Sequence, residues 1–144
     1  MAITASGEDI LAELAGLSPR LFEVAFTPAK ARVAHMRRIT ATHLRYWRVH
    51  GDVVDNIVVT VSELVTNALR YAPGDVVLTV RFAGGELRIE VFDGNPVPAR
   101  PREPAEDDES GRGLLLVTLL AGAWGVSDDG KGTWATFRIP ARRS

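Results

Sequence analysis

Apolar residues recur along this chain in two rhythms, and their succession predicts a sheet covered by helices. From Arg20 to Phe26 the apolar positions Phe22, Val24 and Phe26 alternate with other residues, the period-two pattern of a half-buried strand. Thr27-Pro28 follows, an N-cap residue and a proline suited to the first helical position, and the spacing then becomes helical. A helix over about 28–49 puts Val33, Met36, Leu44 and Trp47 on an inward stripe, with Arg38 and Arg45 outward, before Gly51 breaks the chain. A second helix, about 52–71, opens on Asp52, whose carboxylate suits a helix start, and buries Ile57, Val61, Leu64, Val65 and Ala68.

The runs 75–82 and 86–92 are rich in β-branched and aromatic residues and are joined by Ala83-Gly84-Gly85, a hairpin signal. Prolines at 96, 98, 101 and 104 and an acidic run at 106–109 mark a long loop. A short apolar helix over 113–121 comes next, then strands near 124–127 and 134–139 around the turn Asp128-Asp129-Gly130-Lys131-Gly132. Ahead of all this, Ile10, Leu11, Leu14 and Leu17 have helical spacing within a loose start at 1–17. The order predicts an α+β fold, a two-layer sandwich whose mixed, mostly antiparallel sheet carries its helices on one face. A length of 144 residues suits a single domain over 1–144 with its core at about 20–140.

Composition narrows the function. With 46% hydrophobic and 24% charged residues the chain is of the soluble globular class, and no apolar run is long enough to span a bilayer. A net charge of −1 provides no field to hold a polyanion, so neither nucleic acid nor membrane is an expected partner. The absence of cysteine removes disulfides, thiolate nucleophiles and zinc-thiolate sites. The first residues lack the basic and apolar segments of a secretory leader, so a cytoplasmic location is expected. His35, His43 and His50 lie about two helical turns apart, too far for one ligand set.

Several polar positions carry two readings each. Glu63 and Asn67 are four residues apart on one helix face, with Asn56 and Thr60 extending the stripe. This is either an ordinary solvated face or a carboxylate and an amide oxygen offered to a hard cation and its phosphates. Asp93, before Gly94-Asn95-Pro96, is either an Asx-turn residue or a ligand contact. Ser110-Gly111-Arg112-Gly113 is either a flexible loop or a helix entrance whose first amides bind an anion. Lys131 and Thr133 serve a hairpin turn on the simpler reading.

Their order along the chain resembles a known family. Ser62-Glu63-Leu64-Val65-Thr66-Asn67-Ala68, Asp93-Gly94-Asn95, Gly111-Arg112-Gly113-Leu114 and Gly130-Lys131-Gly132-Thr133-Trp134 look like the N box, the two glycine boxes and the closing threonine motif of the GHKL superfamily. The resemblance spans about 20–140 and is nearest to the free-standing anti-sigma factor serine kinases of bacteria. It implies the Bergerat ATP-binding fold, with ATP and Mg²⁺ as cofactors. It further implies that Asn67 binds the Mg²⁺ bridging the ATP phosphates, that Glu63 orients or deprotonates the attacking hydroxyl, and that Asp93 accepts the adenine amino group. Gly111 and Gly113 then cradle phosphate, Arg112 adds positive charge there, and Thr133 supports the adenine end.

One departure stands out: where the family's first glycine box reads D-x-G-x-G, Asn95 and Val97 hold the glycine positions and Gly94 the variable one. Asn95 thereby joins the expected nucleotide-contacting positions. Two functions follow from the resemblance. The first is a Mg·ATP-dependent serine/threonine kinase that phosphorylates a small anti-sigma antagonist and sequesters a sigma factor, with a homodimer among its expected forms. The alternative is a nucleotide-gated binding regulator without phosphotransfer.

Overall fold

The computed structural model describes residues 20–94 and 109–140. The chain runs β1 (Arg20–Phe26), α1 (Arg32–Tyr46), α2 (Asp52–Tyr71), β2 (Val76–Ala83), β3 (Glu86–Phe92), α3 (Glu109–Leu120), β4 (Ala123–Val126) and β5 (Gly132–Arg138). The five strands form one sheet in the order β1-β2-β3-β5-β4, and all four pairings are antiparallel. This is the expected α+β fold, with no parallel pair among the described residues. The readings at 1–17 and 95–108 lie outside those residues.

Alternation divides the sheet into two faces. Phe22, Val24 and Phe26 of β1, Val76, Leu78 and Val80 of β2, Leu87, Ile89 and Val91 of β3, and Ala135 and Phe137 of β5 are buried. They meet the apolar stripe of α2, where Ile57, Val61, Leu64, Val65 and Ala68 are all buried as the spacing predicted. α2 packs on α1 at one side and α3 at the other, with β2, β3 and β5 beneath it. It is therefore the central helix, and side chains on its flank toward α3 are set where a site can form.

Local chemistry explains the turns. Gly84 and Gly85, at φ 60° and 76°, form the two-residue link of the β2–β3 hairpin, a turn that requires φ above zero at both positions. Gly125 faces Trp134 in the β4–β5 register, and a Cβ there would lie 2.7 Å from the indole Cζ2, so the ring takes the space any side chain would need. His43 stacks on Phe22 with centroids 4.2 Å apart and donates from Nδ1 to the Ile39 carbonyl at 2.9 Å. That histidine fastens α1 to β1.

Three boundaries differ from expectation. α1 starts at Arg32 instead of Pro28, because the chain leaving β1 doubles back through turns bonded Arg32 N–H to Ala29 O (2.9 Å) and Val33 N–H to Lys30 O (3.4 Å). Thr27-Pro28 thus precedes a turn and caps nothing. α1 also ends at Tyr46, short of Val49: Arg48 adopts φ 60°, and the Val49 N–H to Leu44 O (2.9 Å) and Arg48 N–H to Arg45 O (3.0 Å) bonds close a Schellman motif. Finally, α3 begins at Glu109 and not at Gly113. Both glycines of the second glycine box therefore lie within the helix.

Candidate functional site

Glu63 and Asn67 belong to the second half of α2, one turn apart on one face. That face is not simply solvated. Asn67 is only 9% exposed and Thr60 is fully buried, its hydroxyl donating to the Asn56 carbonyl at 2.8 Å. A buried amide is uncommon unless something polar engages it, which separates this stripe from a plain surface.

α3 closes over the same place. A Cβ built on Gly113, which is buried, would lie 2.5 Å from Glu63 Oε2, so the carboxylate rests against the bare backbone of this helix. Gly113 is the fifth described residue of α3, so its N–H falls within the helical ladder, and Gly111 lies nearer the described start of the helix. The expected anion site at this helix entrance has Gly111 in the first described turn of α3. Arg112 lies in that turn as well, but its side chain falls outside the described residues.

The third wall is the sheet end formed by β3 and β5. Asp93 follows β3, and its N–H donates to the Lys131 carbonyl at 3.0 Å. Thr133 pairs with Val91, sharing the face that carries the buried Ala135 and Phe137. Asp93, two residues past Val91, continues that face, toward the helices. Gly94, at φ 72°, comes within reach of the loop after α2: a Cβ on it would stand 3.9 Å from Pro73 Cγ. Asn95 lies outside the described residues.

The described motif residues thus lie on α2, at the ends of β3 and β5 and on α3, toward one end of the sandwich. Among the described residues no group of three or more His, Cys, Asp or Glu side chains gathers into a metal site. The donor set that is present, one carboxylate and one amide oxygen on a helix face, fits a hard cation that takes most of its ligands from phosphate and water. A separate cavity of about 340 Å³, lined by Arg45, Val49, His50 and Val54, lies between α1 and the start of α2 and contains none of these residues.

Sequence reasoning placed the turn before Thr133 but missed the side-chain bonds that hold it. The Ser127 hydroxyl donates to Asp129 Oδ1 at 2.6 Å and accepts from the Gly132 N–H at 2.9 Å, and the same Asp129 oxygen accepts from the Lys131 N–H at 2.9 Å. These bonds hold the Asp129 carboxyl below its ordinary value, chiefly through the Ser127 hydroxyl. A serine two residues ahead of an aspartate in a glycine turn was the available signal.

Comparison with known proteins bears on the fold and the family. No curated protein sequence matches the chain significantly. The solved structure of the RsbU and RsbW domains of Rv1364c from Mycobacterium tuberculosis is similar, with a TM-score of 0.62 at 21% identity, over 85% of this chain and 34% of that one. At that identity the likeness is one of fold, and this chain spans only about a third of that structure's length. Among the described residues no helix is long and apolar enough to cross a membrane. The model of the histidine kinase-like ATPase domain matches residues 26–139, which takes in every motif described above, and the chain belongs to that nucleotide-binding family.

Proposed function

We propose that this protein is a Mg·ATP-dependent serine/threonine kinase that phosphorylates a small anti-sigma antagonist and, in its nucleotide-bound form, sequesters a sigma factor. The observation that carries the reading is the pairing on α2: a carboxylate, Glu63, one turn from a buried amide, Asn67, with Gly113 of α3 against the carboxylate. Fold similarity to a structure containing an RsbW domain and the motif order support the anti-sigma assignment.

Each residue then has a task. Asn67 would hold the cation through its side-chain oxygen; when bound, Mg²⁺ neutralises phosphate charge as it redistributes. Asp93 accepts the adenine amino group, Thr133 supports the same end of the base, and the first turn of α3, with Gly111 and Arg112, receives phosphate. Glu63 takes the proton of the partner's hydroxyl as that oxygen bonds to the γ-phosphorus, and the bond to the β–γ bridging oxygen breaks to release ADP. Incubation of the purified protein with radiolabelled ATP and antagonist proteins encoded beside it tests this: label on a serine or threonine of the partner is the expected result, and its absence with every partner argues against transfer.

A second reading rests on the altered first glycine box. Gly94 adopts φ 72° next to Pro73, and Asn95 stands where the family pattern has glycine. A nucleotide-gated binding regulator retains ATP affinity and partner binding without phosphotransfer. The radiolabel assay combined with a calorimetric titration of ATP separates the two.

A further inference from the structure

We infer that Gly113 is a positioning residue for Glu63: by carrying no side chain it leaves, on the flank of α3, the space that holds the carboxylate in its working position. The inference rests on Glu63 being the base proposed above. The conformation of the backbone does not ask for glycine here. Gly113 lies inside the helix Glu109–Leu120, and its φ is not among the positive values found at Gly84, Gly85 and Gly94. In a helix interior glycine is less favourable than alanine, and the room beside Glu63 gives a reason for it here.

The room is specific to the head group of Glu63. A Cβ on Gly113 would stand 2.5 Å from Oε2, a distance side chains do not adopt, whereas it would meet Glu63 Cδ at 3.5 Å and Glu63 Cβ at 3.7 Å, ordinary contact. Alanine therefore leaves the stem of Glu63 where it is and forces the carboxylate to rotate away. The packing of α2 on α3 survives and the proton acceptor moves. A misplacement of about 1 Å in a reacting group costs on the order of 10²-fold in rate.

The test is Gly113→Ala made both in the natural chain and in a Glu63→Ala background. With Glu63 present, phosphotransfer should fall by roughly 10²-fold, with the loss in kcat and little change in ATP affinity. With Glu63 already removed, Gly113→Ala should lower transfer no further. It should raise Tm by roughly 2–5 °C there through helix propensity, a gain that the displaced carboxylate reduces in the natural chain. Equal effects of Gly113→Ala in both backgrounds, on transfer and on Tm, would overturn the inference. A natural chain that transfers no phosphate yet keeps the unequal Tm effects overturns the kinase reading and leaves the steric pairing standing; additive Tm effects overturn the pairing whatever the activity.

Discussion

The backbone N–H of Asp93 donates to the carbonyl of Lys131 across 3.0 Å, tying the end of β3 to the turn between β4 and β5. Lys131 is itself fixed by its N–H to Asp129 Oδ1, and Asp129 by the Ser127 hydroxyl. A chain of hydrogen bonds thus runs from an exposed carboxylate to the residue proposed to recognise adenine. Turn chemistry and base recognition share one scaffold.

This chain makes the turn sensitive to acid. The Ser127 hydroxyl first, and then the Lys131 N–H, hold the Asp129 carboxyl below the ordinary aspartate value. A carboxyl with a depressed folded-state value contributes stability that is present above its unfolded value and lost as pH falls through the folded one, here in the range below about pH 4. An NMR titration of the Asp129 carboxyl should give a midpoint below that of an ordinary aspartate, and Ser127→Ala should raise it toward the ordinary value. Midpoints that do not differ between the two proteins would remove the Ser127 bond as the cause.

Arg48 occupies the left-handed position of the Schellman motif that ends α1. Glycine takes that conformation without a Cβ penalty, partly offset by the greater freedom it gives the unfolded chain. Arg48→Gly should therefore stabilise the protein by about 0.5 kcal/mol in urea unfolding. A loss of stability would mean that the arginine side chain makes up for its own backbone strain.

Much of this fold was legible because its apolar spacing is regular. β1, α2 and β3 fall on the predicted ranges, since alternation and the buried stripe of α2 leave no competing register. What escaped were the helix ends. Thr27-Pro28 has the chemistry of a helix start, but a turn at residues 30–31 separates it from α1, and Arg48 gives no sign in its residue type that it will take φ 60°. The site was legible as motif order. The burial of Asn67 and the Glu63–Gly113 contact depend on elements meeting far apart in sequence, which periodicity does not encode, whereas the Asp129 bonds are local and belong to turn chemistry, not to apolar spacing.

Asn67, which one of the two sequence readings put on a solvated helix face, is buried. Asn67→Ala should cost about 1–2 kcal/mol of stability without nucleotide, the scale of removing a buried polar group from its surroundings. It should also abolish the Mg²⁺ dependence of ATP affinity. Urea unfolding and calorimetric titration with and without Mg²⁺ measure both, and full Mg²⁺-dependent binding by the variant would end the assignment of Asn67 as the cation ligand.

The most direct test of the kinase reading is single-turnover phosphotransfer by Glu63→Gln with saturating Mg·ATP and an antagonist that the natural chain phosphorylates. The substitution keeps the size of the head group beside Gly113 and removes its capacity to accept a proton. ATP affinity should stay close to that of the natural chain while the transfer rate falls by roughly 10²- to 10⁴-fold, the usual cost of losing a general base. Transfer at an unchanged rate would contradict the role given to Glu63.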